Sequence, residues 1–256
     1  AAAFCLCCVI GLLFVLPILA FLFTMLLEDY PLHMELTLRH IRDCLNARGV
    51  LGLKNSLLLS AGTALGGTVI AAFAAYAAAR HRGSLARSVH LLSTLTLSIP
   101  GLVLGLAYVL AFKRTALYET MGILIFSSII HFFTTPYLML YQTFGKLNAN
   151  LEGTGRVLGV PPFRLFANVF LPQCAETLLD MFSYFFLNAM VTISAVSFLA
   201  TAQTRPLSML VTQYSDQINP EGAAVLSFFI LTINLLVRGI VFLLKRLLCT
   251  PARAAQ

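Results

Sequence analysis

Asn150-Leu-Glu-Gly-Thr-Gly-Arg-Val-Leu-Gly159-Val-Pro-Pro-Phe-Arg-Leu-Phe-Ala-Asn-Val-Phe-Leu-Pro172 is a polar interruption between two strongly apolar segments. A connection in a multi-pass chain need only reverse direction, but this one is composed to fold. Asn150 suits a helix N-cap, Glu152 suits the positive end of a helix, and Gly159 can close a short helix. Val160 leads into Pro161 and Pro162, which break the chain and can open a second helix. In that helix Phe163, Phe166, Val169 and Phe170 recur at helical spacing. A folded, partly apolar helix pair in water implies a protein that covers it.

Outward from this loop, composition fixes the solvent. Of 256 residues, 59% are hydrophobic and 11% charged, and the mean hydropathy is +0.89, far from a soluble domain. A bilayer core of about 30 Å takes about 20 apolar residues per helix. Six stretches qualify: 4–27, 56–79, 89–112, 121–141, 178–199 and 223–244. Backbone polar groups in lipid must pair internally, and the runs lack the alternation of a β-barrel, so an all-α membrane bundle is expected. No linker or repeat divides the chain, which reads as one domain over 1–256. Its first apolar run is longer than a signal-peptide core and lacks a basic lead; the chain reads as a trimmed piece or the second half of a longer, fused polypeptide.

Charge orients the bundle. Arg80, Arg82 and Arg87 stand in a connection without acids; Lys146, Arg156, Arg164, Lys245, Arg246 and Arg253 fall on the same side. Arg39, Arg42, Arg48, Lys54, Lys113, Arg114 and Arg205 on the other side are balanced by acids. Positive residues in short loops mark the cytoplasmic face, which puts both termini and the 142–172 loop there. Flanking basic residues at a lipid surface account for the net charge of +7 without nucleic acid. The interleaved Leu36, Leu38, Ile41, Leu45 and Val50 predict an amphipathic helix on the outer membrane surface.

Gly62/Gly66 and Gly101/Gly105 have the spacing of close helix contacts, and Ser98-Ile-Pro100-Gly101 predicts a bend in the third segment. In the fifth segment Tyr184, Asn188 and Thr192 are spaced by four and share a helical face. A polar translocation path and interhelical hydrogen-bond glue explain them equally. Glu176 and Asp180 read as headgroup-level carboxylates, His131 as a packed membrane histidine, and Arg238 as a snorkelling arginine. The cysteines Cys5, Cys7, Cys8, Cys44, Cys174 and Cys249 form no metal or disulfide pattern. No nucleotide-binding Gly-x-x-x-x-Gly-Lys-Ser/Thr and no hydrolase motif occurs, so no catalytic residue, metal or cofactor is expected.

Gly159, Val169, Leu171 and Pro172 stand in the spacing of the cytoplasmic loop of permease subunits of binding-protein-dependent ABC importers, which the chain resembles. Gly153-Thr154-Gly155 takes the place of that family's Glu-Ala-Ala, with Glu152 just ahead. Lys54-Asn-Ser-Leu-Leu-Leu59 and Pro100-Gly-Leu-Val-Leu-Gly105 look like further segments of the same superfamily. The resemblance implies an inner-membrane six-helix bundle of the type I importer permease kind. It also implies a second permease half, two cytoplasmic ATPase subunits that hydrolyse ATP, and an external substrate-binding protein. By the same resemblance Glu152, Gly153, Gly159, Val160, Pro161, Phe163, Leu171 and Pro172 are ATPase-coupling residues. The stretch Asn188–Leu199 with Arg205-Pro-Leu-Ser-Met is most similar to 2-aminoethylphosphonate permeases; iron(III) or another small solute is the alternative. An ion-coupled secondary carrier is the alternative class, and it needs ionisable groups near the midplane.

Overall fold

The computed structural model describes residues 2–29, 33–46, 48–81, 83–217 and 219–253. Arg82, and the side chains of Cys249 and Arg253, lie outside the described residues.

The chain forms two compact units. The first holds residues 1–57 and 201–234. It opens with α1 (Ala2–Leu26), an apolar helix whose membrane-length window has none of its residues buried inside the chain. An antiparallel hairpin follows, β1 (Leu27–Asp29) on β2 (His33–Leu36), with Leu27 opposite Leu36. The amphipathic segment forms α2 (Arg39–Asn46), but only over part of the expected length. Val50 and its neighbours instead open α3 (Gly49–Arg80). A side chain at Gly49 would fall on the Cys44 carbonyl, so glycine permits the close turn between the two helices.

The first unit also contains α12 (Leu207–Asp216), which was not expected from the sequence. Its start is fixed from α3: Ser56 Oγ accepts the Leu207 N–H at 2.7 Å, and Asn55 Nδ2 donates to the Gln203 and Arg205 carbonyls at 2.7 and 3.1 Å. Asn55 and Ser56 thus cap a neighbouring helix rather than simply beginning a span. Next comes α13 (Pro220–Arg253), with proline in its first turn, where the missing N–H costs nothing.

The second unit holds residues 58–200 and 235–256, and here the expected third segment is a broken pair. It consists of α4 (Ser84–Leu95), a 3-10 turn at Thr96–Ser98 and α5 (Gly101–Phe112), bent by 112°. Pro100 bars Ile99 from helical geometry, and Ile99 is extended at φ −101°, ψ 117°. A side chain at Gly101 would meet Ser194 Oγ and lie 2.9 Å from His131 Cε1. The fourth segment is likewise two helices, α6 (Met121–His131) and α7 (Thr134–Lys146), bent by 54°. Pro136 supplies the cause: it cannot donate to the Phe132 carbonyl four residues back, and its ring crowds it.

After α7 the loop folds into α8 (Leu151–Val157), α9 (Pro162–Leu165), a π-helical turn at Phe166–Phe170 and α10 (Leu171–Gln173). The fifth segment is α11 (Ala175–Val191), which stops eight residues short of the expected 199. Thr192 is extended at φ −67°, ψ 137°, and residues up to 199 form turns. Val191-Thr192-Ile193 is a β-branched run followed by serine, a poor helix continuation. Freed backbone here finds protein partners: Ser127 Oγ donates to the Ala195 carbonyl at 3.1 Å. Tyr137, Leu140, Phe144, Phe170, Met181 and Phe185 form the fully buried heart of this unit.

Stretches of α1, α3 and α13 are each long and apolar enough to cross a membrane, and each bent pair qualifies when taken as one span. With its 17 residues, α11 sits at the short end of the spanning range.

Candidate functional site

Residues 147–173 fold into a structure anchored on the last turns of α3. The anchor is Arg80, the final residue of that helix. Its Nε and Nη2 both donate to the Glu152 carboxylate, at 2.6 Å each, in a bidentate fork. The remaining donors go to backbone: Nη1 to the Phe144 and Leu147 carbonyls at 3.2 Å, and Nη2 to Asn148 at 2.8 Å. These carbonyls belong to the C-terminal end of α7 and the turn after it, where helix carbonyls otherwise lack partners. The guanidinium also lies 5.2 Å from the centre of the Phe170 ring. One side chain therefore ties together α3, the end of α7, α8 and the π-helical turn.

Packing reinforces the tie. Tyr76 lies one turn before Arg80, with ring centres 5.8, 4.8 and 5.3 Å from Phe144, Phe166 and Phe170. Phe73 stacks on Phe166 at 5.2 Å. In the sequence Arg80 reads only as a topological charge, and Phe73 and Tyr76 carry no expectation. The readable signal was the helical face Phe73, Tyr76, Arg80 at the loop end of α3.

Glu152 is accordingly engaged within the chain rather than offered to an outside partner. The Arg80 hydrogen bonds hold its carboxyl below the usual carboxylate range, against a smaller opposing effect of burial. Asn150 occupies the expected cap position, but its side chain caps nothing. At φ −89°, ψ −4° it is helical rather than extended, the wrong geometry for an N-cap oxygen. Asn148 Oδ1 takes the Asn150 N–H instead, at 2.9 Å.

Gly159 ends α8 as expected. It has φ +68°, the Val160 N–H donates to the Gly155 carbonyl at 2.9 Å, and the Gly159 N–H donates to Arg156 at 3.1 Å. That pair of bonds is a Schellman turn. A Cβ at Gly159 would meet nothing within 4 Å, so conformation alone calls for glycine here. At Gly155 the requirement is space: a Cβ would stand 3.1 Å from Leu165 Cδ2, where α8 packs on α9.

The turn presents an apolar tip. Val157 is 88% exposed, Leu158 72% and Phe163 70%. An open groove of about 390 Å³ runs beside it, lined by Leu151, Thr154, Leu158, Val160, Leu165 and Val169. Pro161 is exposed, as is Gly153, with open space around its Cα. Phe163 was expected to share a face with Phe166 and Phe170, but those two are buried. Phe163 stands in the first turn of α9, ahead of the π-helical turn at 166–170, and is exposed there.

Half-buried Leu171 leads through exposed Pro172 and α10 directly into α11, joined at Cys174, whose N–H bonds the Phe170 and Leu171 carbonyls at 3.1 and 3.2 Å. Thr143 and Thr177 hydroxyls, 3.1 Å apart, tie α7 to the start of α11. Along α11, Tyr184 and Asn188 keep the shared face, and Asn188 Nδ2 donates to the Tyr184 carbonyl at 2.8 Å. Thr192 caps the end of the helix and is buried, and its extended ψ turns the chain beyond it out of the helix. Among the described residues no three His, Cys, Asp or Glu side chains gather to hold a metal.

The family described as "Binding-protein-dependent transport system inner membrane component" matches residues 67–248. The chain is 28% identical over 195 residues to the Fe(3+)-transport system permease protein FbpB 2 of Haemophilus influenzae, covering 75% of this chain and 38% of that one. It is 29% identical over 124 residues to a spermidine/putrescine transport system permease PotC homolog of Mycoplasma genitalium, covering 47% and 44%. The chain thus spans less than half the length of these relatives. A solved bacterial alginate ABC transporter, in complex with its alginate pentasaccharide-bound periplasmic protein, has a chain of the same fold. Its TM-score is 0.77 at 14% identity, covering 96% of this chain and 93% of that one. This chain belongs to the family of inner-membrane components of binding-protein-dependent transport systems.

Proposed function

We propose that the chain is one permease half of an ATP-driven importer, folded as one membrane domain. It works with a second permease half, two cytoplasmic ATPase subunits and an external binding protein. The observation that carries this reading is the Arg80-anchored loop, which holds Val157, Leu158 and Phe163 out as an apolar tip. An exposed apolar cluster on a fixed turn suits a protein partner, and the direct run through α10 into α11 offers a stiff link from that partner to the bundle. The secondary-carrier alternative loses its acid, since Asp180 pairs with Lys245 at 2.6 Å. Reconstituted with its ATPase, the chain should give uptake that requires ATP hydrolysis. Uptake driven by an ion gradient without the ATPase would contradict the proposal.

The charge pattern supports a cytoplasmic loop and cytoplasmic termini. External thiol reagents should then reach cysteines engineered near Lys113 and Asp216, and labelling at Glu152 in sealed cells would reverse the orientation. For substrate, the names of the relatives favour iron(III), or a polyamine, over 2-aminoethylphosphonate, which none of the relatives described above supports.

Tyr184 and Asn188 are proposed to line the translocation path, with Thr192 at its irregular end. Asn188→Leu should lower ATP-dependent uptake several-fold while basal ATP hydrolysis and complex recovery stay unchanged. Uptake equal to wild type would assign Asn188 to helix packing.

A further inference from the structure

We infer that the cavity between α11 and α13, at the end of the bundle nearest the loop, binds the phosphate of an anionic phospholipid. The cavity measures about 390 Å³ and is lined by Asp180, Ser183, Arg238, Val241, Phe242 and Lys245. Lys245 Nζ and Asp180 Oδ1 are 2.6 Å apart and offset each other's charge, so Arg238 leaves the cavity cationic. Arg238 is exposed and lies within the membrane-length stretch Pro220–Leu248. It makes no hydrogen bond or ion pair among the described residues. A guanidinium at that depth is costly without an anion, so its partner comes from outside the chain.

A second group points the same way. Ser183 lines the cavity, is 4% exposed, and its Oγ has no hydrogen-bond partner. A hydroxyl donor beside an arginine fork matches the oxygens of a phosphate. The cavity also contains a carboxylate, Asp180, but its charge is taken up by Lys245. Its walls are apolar at Leu235, Val241 and Phe242, which suits acyl chains leaving the headgroup. Arg238 and Lys245 are seven residues apart, about 10 Å along the helix, so the pair spans from the apolar layer to headgroup depth. Asp180 stands on the first turns of α11 after Pro172, on the side proposed to face the cytoplasm. The inference rests on that orientation for the leaflet involved, but not on the ATPase or the substrate.

Native mass spectrometry of the full chain in neutral detergent tests it, with phosphatidylglycerol, phosphatidylcholine and inorganic phosphate as separate probes. The wild type should retain one phosphatidylglycerol in preference to phosphatidylcholine. Arg238→Gln should weaken that retention about five-fold, the effect of one basic residue at a lipid surface, and Arg238→Lys should keep most of it. Four results would overturn the inference: no retained phosphatidylglycerol in the wild type, equal retention of the two lipids, undiminished retention in Arg238→Gln, or binding of inorganic phosphate alone. A chemical cross-link from position 238 to an acidic side chain of a second permease half would overturn it too. The readout needs neither transport nor ATP hydrolysis, so its failure is separate from failure of the importer reading.

Discussion

Replacing Gly159 with valine should cut ATP-dependent uptake at least ten-fold while the helices remain inserted. The residue sits at φ +68° with open space around its Cα. A β-branched side chain meets no neighbour there but is strained by the backbone, at about 1–3 kcal/mol. The Schellman bonds from Val160 and Gly159 to Gly155 and Arg156 then yield first, because they hold only a seven-residue helix. The apolar tip at Val157, Leu158 and Phe163 loses its fixed position, and force from a bound subunit no longer reaches Leu171 and Pro172. Gly159→Asn is the informative control. Asparagine tolerates left-handed geometry far better, so it should retain most of the uptake. Equal uptake by wild type and Gly159→Val in proteoliposomes would remove the turn from the coupling path.

Arg80→Gln should have the second large effect. Stripping one partner from a buried ion pair costs about 3–5 kcal/mol. The lower figure applies here, because the Glu152 side chain keeps 21% of its exposure against 7% for Arg80. About 3 kcal/mol is roughly a hundred-fold shift in the docked population of the loop. Hydrogen exchange of the 150–165 amides should therefore rise sharply, and ATPase recovery with the membrane protein should fall. The paired replacement Arg80→Met with Glu152→Met should recover part of the loss, because no charge is left stranded. Linkage sets the pH behaviour. The Glu152 carboxyl is held below its ordinary value, so its contribution is complete above about pH 5 and is lost as pH falls through the lowered value. Loop protection in the wild type should be flat from about pH 5 to 8 and drop only in more acid solution. In Arg80→Gln the acid-dependent drop should disappear. Unchanged amide exchange in Arg80→Gln would show that the aromatic cluster alone holds the loop.

The loop was legible because its signals are local. Gly159 and the Pro161-Pro162 pair dictate backbone geometry whatever surrounds them, and both act as expected. The apolar runs were legible too, since membrane helices announce themselves by length and hydropathy. What the sequence concealed depends on contacts between distant residues. Glu152 looked like a helix-terminus charge, but its partner lies 72 residues away at Arg80. The breaks at Pro100 and Pro136 were written in the chain, yet a 112° bend and a kink look alike in a hydropathy profile. The fifth segment illustrates a different failure. Hydropathy carries it to residue 199, whereas the helix ends at Val191, where a β-branched run begins. Phe163 recurs at helical spacing with Phe166 and Phe170, yet it stands in the first turn of α9 and is exposed. Helix α12 escaped notice because its start is set by Ser56 and Asn55 rather than by its own sequence.

The claim that the anchored loop is the contact to an energy-supplying subunit has one direct measurement. A photoreactive amino acid in place of Phe163 should be cross-linked in sealed, energised membranes, and the captured product identified. A covalent adduct with a cytoplasmic ATP-hydrolysing subunit is expected, absent when the same probe replaces Lys113. An adduct with lipid alone, or capture by an external protein, would contradict it.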